Sequence, residues 1–175
     1  MRHVGREGAA GVQAVCACLR RFSLERDRFK AGVARRSGVS PAEFNALDHL
    51  EHAGRPITPG ELAQCVGLTS GAVTALVDRL VQAGLVRRTP HPRDRRSVLL
   101  ELTSGAAATG AREVGPFAAD IEAVAAGLSP GEQATIGRFL ESVAEVAGRH
   151  AAQSSSAASS PGSVTGARQA KRSHT

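Results

Sequence analysis

Tryptophan and tyrosine are absent from the 175-residue chain, and phenylalanine occurs only five times. This shortage argues against a protein that stacks single-stranded nucleic acid on aromatic rings. Three cysteines are too few and too irregularly spaced for a disulfide scaffold. No apolar run approaches the roughly 18 residues that a membrane span needs, and the opening MRHVGREGAAGV lacks the apolar region of a signal peptide. We therefore expect a cytoplasmic protein with no membrane partner.

Motifs of the common enzyme classes are also missing. The chain has no phosphate-binding Walker loop, no GxSxG nucleophile elbow, no zinc-hydrolase motif and no dinucleotide-binding GxGxxG after a strand. His49 and His52 share a helical face but lack the further ligands of a metal site. We expect no enzyme, no cofactor and no bound metal. Hydrophobic residues make up 42% of the chain, which is enough for a folded core.

Positive charge is concentrated in one short segment. The net charge is +6, and residues 87–96, RRTPHPRDRR, hold five arginines against a single acid, Asp94. Three further basic residues lie in the low-complexity tail, 151–175, whose composition predicts disorder. A compact basic element in a nearly neutral body is typical of a phosphate-binding surface.

Three helix starts share one sequence pattern. Ser40-Pro41 is followed by Glu43, and Thr58-Pro59 is followed by Glu61, so each predicts a capping box with proline at the first helical position. Ser129 begins a third box. Apolar spacing and glycine stops then predict a mainly helical (α+β) chain. The predicted helices cover residues 11–37, 41–53, 59–66, 70–83, 104–127 with a kink or break near 115, and 130–149.

A hairpin interrupts the helical pattern. Residues 85–89 and 97–102 read as two strands, and the proline- and arginine-rich segment between them reads as a turn. The order of short helix, tight connection, helix and basic hairpin is that of a winged helix-turn-helix. In this arrangement helix 70–83 enters the major groove of DNA, and the hairpin tip reaches a minor groove.

Three segments carry a family resemblance: GVSPAEFNAL, ITPGELAQCVGLTSGAVTALVDRLVQAGLVRR and HPRDRRSVLLELT. They resemble the MarR family of bacterial transcriptional regulators, densely over about residues 38–104 and more weakly in the flanking helices. The resemblance implies an obligate homodimer that reads a near-palindromic operator, most simply as a repressor released by a ligand. It also implies a DNA-binding lobe, 38–104, dimerisation helices at 11–37 and 105–150, and a flexible N-terminus, 1–10.

The resemblance assigns roles to individual residues. The start of helix 70–83 would meet base edges or phosphates, and Arg79 would lie near the DNA backbone. Asp94 would orient the wing arginines, and Arg96 would enter the minor groove. The full predicted DNA-binding set is Thr58, Thr69, Ser70, Gly71, Thr74, Arg79, Arg87, Arg93, Asp94, Arg95 and Arg96.

Two positions depart from the family pattern. Many members carry an arginine or another polar residue where this chain has Ala75, so readout there is reduced to a methyl contact. The acid often found shortly before the wing tip is His91 here. Histidine titrates near neutrality, so the charge of the wing could vary with pH; a merely exposed histidine is the alternative.

Two alternative functions of the same fold stay open. Some members of the family sense peroxides through a cysteine in the first helix, where Cys16 and Cys18 lie, although the tyrosine partners of such sites are absent. Cys65 is a third candidate. The small residues that begin helix 70–83 also suit a nonspecific architectural DNA-binding protein.

The resemblance further implies a small aromatic or phenolic effector. Such a compound would bind between the dimerisation helices and the DNA-binding lobe. The residues available to line that site are Phe22, Phe29, Phe44 and Leu47, with Arg20 or Arg21 for an anionic group.

Overall fold

Six helices and a two-stranded antiparallel sheet make up the computed structural model, which describes residues 6–94 and 96–158. The elements are α1 (Arg6–Arg36), α2 (Pro41–Ala53), α3 (Pro59–Val66), α4 (Ser70–Gln82), β1 (Val86–Pro90), β2 (Val98–Leu102), α5 (Ser104–Ala126) and α6 (Pro130–Ala158). The described residues divide into two compact units, one that ends at Val124 and one that begins at Ala125.

The capping boxes and glycine stops predicted from the sequence are present in the structure. The Ser40–Glu43 and Thr58–Glu61 capping boxes are both formed, with each side chain bonded to the backbone N–H of the other. The Ser129–Glu132 box begins α6 in the same way. Gly54 and Gly67 end α2 and α3 with φ of 60° and 67°, in the left-handed region that glycine enters without a steric penalty. Local sequence alone therefore fixes the bounds of these short helices.

A single hydrophobic core holds α2, α3, α4 and the hairpin together. Leu62, Leu76, Leu80 and Leu100 are at most 1% exposed and contact one another through this cluster. β1 and β2 pair in register from Val86–Leu102 to Pro90–Val98. Ile57 adds a bridge to the other side of β2, because its N–H and carbonyl both bond to Leu100. The observed lobe is the predicted winged helix-turn-helix.

A smaller cluster joins α1, α2 and α5. Val33 and Ala34 of α1 are buried against Phe44, with Val114 of α5 packed beside them. The rings of Phe29 and Phe117 stack with centroids 4.5 Å apart. The last turns of α1 and the middle of α5 are thus part of the same unit as the lobe.

The helices differ from the expected bounds at three places. Near residue 115, where a kink or a break is expected, no break occurs, and α5 runs continuously past Pro116. Proline removes one backbone hydrogen bond, but Val114 and Phe117 anchor the helix on both sides of it. α1 begins at Arg6, within the segment expected to be flexible, and α6 continues to Ala158, into the segment expected to be disordered. Alanine-rich sequence at both ends favours this extension. Residues 1–5 and 159–175 lie outside the described residues.

Candidate nucleic-acid interface

The first turn of α4 presents small polar groups to solvent. Thr69 is the N-cap, and its hydroxyl accepts the N–H of Ala72 at 3.4 Å. Ser70, Gly71 and Thr74 are all exposed, and the Thr74 hydroxyl donates to the Ser70 carbonyl at 2.9 Å. A Cβ at Gly71 would meet no atom within 4 Å. This end of α4 is therefore open, and its unpaired N–H groups favour an anion such as phosphate.

Thr58 has a structural role in the capping box of α3. Its N–H and its hydroxyl both donate to Glu61 Oε2, at 2.7 and 2.9 Å, and its hydroxyl accepts the Glu61 N–H. Arg55 adds an ion pair to Glu61 at 2.7 Å. The Thr58 backbone N–H, followed by Arg55, lowers the pKa of Glu61 to about 2. The hydroxyl of Thr58 is thus already engaged within the protein.

Arg79 links α4 to the start of α2. Its Nε donates to Glu43 Oε1 at 2.8 Å, while Glu43 Oε2 accepts the Ser40 N–H. The bond from Arg79, followed by that from the Ser40 N–H, holds the pKa of Glu43 below its ordinary value. One carboxylate therefore caps α2 and fixes the orientation of α4.

The arginines at the base of the hairpin are paired as well. Arg87 donates twice to Glu101 Oε2, at 2.9 and 2.6 Å, and Thr89 donates to the other oxygen of Glu101. Arg87, the first cause, and Thr89 lower the pKa of Glu101. Arg88 bonds to Asp78 at 2.7 Å and so connects the hairpin to α4. These acceptors were not predicted from the sequence, although Arg87 and Glu101 are directly opposite in the hairpin register.

The wing tip, defined here as residues 91–94 and 96–97, carries two arginines, Arg93 and Arg96. Arg93 and Arg96 are exposed and, among the described residues, neither lies within ion-pair distance of an acid. Asp94 Oδ1 accepts the backbone N–H of Arg96 at 2.9 Å, which shapes the turn. His91 Nδ1 accepts the N–H groups of Arg93 and Asp94. Arg95 lies outside the described residues.

A cavity of about 480 Å³ lies beside the lobe, between α2 and α5. Of the six residues available to line an effector site, Phe44 and Leu47 line this cavity and the other four do not. Phe29 stacks on Phe117 instead, and Phe22 is 47% exposed. The lining contains no lysine or arginine and instead includes Asp48, Glu51, His52 and Glu113.

The remaining candidate features are the cysteines, a metal site and a membrane span. Cys16, Cys18 and Cys65 are exposed free thiols. Within residues 6–94 and 96–158, no three histidine, cysteine or acidic side chains gather as they would around a metal ion. The same part of the chain contains no helix that is long and apolar enough to span a membrane.

Comparison with known proteins identifies the family. A sequence profile described as the MarR family matches residues 37–97. The crystal structure of apo wild-type MarR from E. coli superimposes with a TM-score of 0.53 at 30% identity, over 73% of this chain and 94% of that one. The chain belongs to the MarR family.

One sequence relative and one further structure of E. coli MarR extend the comparison. YcgE of Bacillus subtilis, named an uncharacterized HTH-type transcriptional regulator, is 46% identical over 72 residues, 41% of this chain and 46% of that protein. The match spans about half the length of the curated relatives. A mutant of E. coli MarR complexed with operator DNA has a TM-score of 0.51 at 28% identity, over 76% of this chain and 95% of that one.

Proposed function

We propose that this MarR-family protein is a transcriptional regulator that binds double-stranded DNA sequence-specifically and represses the genes it controls. The observation that carries the proposal is an open α4 N-terminus together with a wing tip whose Arg93 and Arg96 have no carboxylate partner among the described residues. The hydroxyls of Ser70 and Thr74 would face base edges, and the two arginines would reach the adjacent minor groove.

Arginines that already form ion pairs within the protein contribute less to the proposed DNA binding. Arg79 and Arg87 remain candidates for phosphate contacts, but each would have to share its charge with Glu43 or Glu101. Backbone contacts fix the register of a protein on DNA and carry no sequence information directly. Thr58 would contribute by fixing the start of α3, and Asp94 by shaping the wing turn.

The DNA-binding form in this proposal is a homodimer. Large apolar side chains on α1 are exposed, including Val12, Val15 and Leu24. On α6, Ile136, Phe139 and Leu140 fall on one helical face and are 40–48% exposed. Large apolar side chains exposed on one helical face, as on α6, mark an interaction site, and a two-fold dimer matches a near-palindromic operator. A second copy of this chain is the proposed partner for both surfaces.

Release by a small molecule at the cavity between α2 and α5 is the proposed regulation. The apolar walls suit an aromatic compound. Asp48 is paired with Lys30 at 2.6 Å and Glu113 with Arg36 at 3.1 Å, whereas no lysine or arginine of the described residues pairs with Glu51. These carboxylates disfavour a phenolate and favour a neutral or cationic aromatic ligand.

Oxidation of a cysteine is the alternative means of release. The observation in its favour is the exposure of Cys16, Cys18 and Cys65, since reversible oxidation needs access to solvent. Replacing all three by serine separates the two mechanisms. Operator binding of the serine variant would resist peroxide yet still respond to a cavity ligand if the cysteines sense oxidation.

The test of the proposed function is a selection followed by a titration. Genomic fragments bound by the full-length protein are sequenced, and the enriched duplex and a scrambled copy are titrated at about 0.15 M salt. A regulator should prefer the enriched duplex by about a thousandfold or more. Equal and strongly salt-dependent binding to both duplexes would instead identify a nonspecific architectural protein. The absence of binding to either would reject the proposal.

A further inference from the structure

His91 begins the wing tip and forms hydrogen bonds with the backbone of the turn. The backbone N–H of His91 donates to the Ser97 carbonyl at 3.2 Å, just beyond the Pro90–Val98 pair that ends the ladder. The imidazole then folds over the turn, where Nδ1 accepts the N–H of Asp94 at 3.0 Å and the N–H of Arg93 at 3.3 Å. The side chain is half-buried by these contacts.

The direction of these bonds fixes the chemical state of the ring. A backbone N–H can only donate, so Nδ1 must carry a free lone pair, and the ring hydrogen of a neutral imidazole then resides on Nε2. In this state His91 does what asparagine and aspartate commonly do in turns, which is to accept hydrogen bonds from the next backbone N–H groups. In a cationic imidazole Nδ1 would carry a hydrogen, so it could not accept a hydrogen bond from the N–H of Arg93 or of Asp94.

The same bonds connect His91 to both unpaired arginines. Arg93 is held directly through its own N–H. Arg96 is held through Asp94, whose N–H bonds to the imidazole and whose carboxylate accepts the Arg96 N–H at 2.9 Å. The Asp94 carbonyl also accepts the N–H of Ser97 at 3.0 Å, which closes the turn. The imidazole Nδ1 therefore holds the backbone at Arg93 directly and the backbone at Arg96 through Asp94.

We propose that His91 is a positioning residue for DNA binding, whose neutral imidazole holds the wing tip in the shape that presents Arg93 and Arg96 to DNA. The inference rests on the proposed function. Its basis is preorganisation, because a tip that is already ordered loses less conformational freedom when it binds. Loss of the acceptor should weaken operator binding without destabilising the lobe, since the tip lies outside the buried core.

The experiment compares the full-length protein with three variants on the enriched duplex at about pH 8, where an ordinary imidazole is neutral. His91→Ala removes the acceptor and should weaken binding about tenfold, the order expected for hydrogen bonds lost in both lobes of a dimer. His91→Asn keeps an uncharged acceptor and should bind within about twofold of the parent. His91→Lys supplies charge without an acceptor and should still bind less tightly.

Two controls exclude a general loss of structure. His49→Ala changes an exposed histidine on α2 and should leave binding unchanged. All variants should unfold at the same temperature as the parent. Full binding by His91→Ala would overturn the inference. Tight binding by His91→Lys together with weak binding by His91→Asn would also overturn it, because His91 would then act through its charge.

Amide hydrogen exchange tests the inference without DNA. The Arg93 and Asp94 amides should exchange several-fold faster in His91→Ala than in the parent, and His91→Asn should restore their protection. Equal exchange in the parent and His91→Ala would refute the positioning role even if DNA binding is confirmed. Failure of the parent to select any DNA would reject the proposed function instead, and exchange would still decide whether His91 holds the tip.

Discussion

Arg96→Ala should alter the salt dependence of DNA binding more than the loss of an arginine that is paired within the protein, such as Arg79 or Arg87. The Arg96 backbone is fixed by Asp94, and its side chain is exposed with no carboxylate within ion-pair distance among the described residues. Its full charge is therefore available to displace counterions from DNA. Each contact of this kind contributes about 0.9 to the slope of log K against log salt, so the two lobes of a dimer together should lose about 1.8.

This slope sets the size of the measurable effect. Between about 0.05 and 0.2 M salt, the advantage of the parent protein over Arg96→Ala should shrink by about tenfold. The assay is fluorescence anisotropy with the enriched duplex at four or five salt concentrations. Arg87→Ala should change the slope less, because Glu101 already neutralises Arg87 in the free protein.

The matched control is Arg28→Ala. Arg28 lies on α1, outside the helix-turn-helix and the wing, and its side chain is 75% exposed with a partner, Glu25, at 2.9 Å. Its loss removes the same charge from the protein and should leave the slope unchanged. Parallel slopes for the parent and Arg96→Ala, or an equal fall for Arg28→Ala, would refute the assignment of the wing tip to DNA.

Three further predictions concern stability, pH and assembly. Leu76→Ala should lower the free energy of unfolding by about 2–5 kcal/mol, because Leu76 is 1% exposed in the core of the lobe; chemical denaturation measures this loss. Glu61→Gln keeps an acceptor for the Thr58 N–H but removes the charge that pairs with Arg55, so it should cost less than about 1 kcal/mol at neutral pH, the upper value for a solvent-screened ion pair. The pKa of Glu61 is lowered to about 2, so its stabilisation is complete above the ordinary value of 4.5 and is lost as pH falls toward 2; the denaturation midpoints of parent and variant should converge over that interval. Phe139→Glu should shift the chain from dimer toward monomer in sedimentation velocity, because a charge would replace an apolar side chain of the proposed α6 interface.

The stability measurement has a control variant, and each of the three predictions has an outcome that would contradict it. Gln82→Ala changes an exposed residue of α4 and should alter stability by less than about 0.5 kcal/mol. A Leu76→Ala protein as stable as the parent would contradict the assigned core. A constant gap between the pH curves of parent and Glu61→Gln would show that the cap does not titrate. A dimer undisturbed by Phe139→Glu would place the interface elsewhere.

The sequence predicted those parts of the fold that depend on neighbouring residues. The capping boxes at Ser40 and Thr58 and the glycine stops are determined within a few residues, and the hairpin follows from its turn chemistry. The sequence alone could not decide between a kink and a break in α5, because Pro116 is a local signal for either. Contacts of Val114 and Phe117 with α1 and α2, which are distant in sequence, override that signal.

The candidate site was predicted less completely than the fold. The sequence identifies which residues are arginines but not which arginines have internal partners. Arg79 pairs with Glu43, 36 residues away, and Arg88 pairs with Asp78 on another element. The two N–H bonds to His91 likewise depend on the conformation of the wing turn. These contacts require the tertiary structure, and they separate the free arginines of the tip from the paired arginines below it.

A hydroxyl-radical footprint on the enriched duplex is the most direct test of DNA recognition by α4 and the wing tip. We predict two protected half-sites about one helical turn apart, each flanked by a protected minor groove. In Arg96→Ala the flanking minor-groove protection should disappear while the half-sites remain. A single asymmetric footprint, or flanking protection that persists in Arg96→Ala, would contradict the proposed mode of binding.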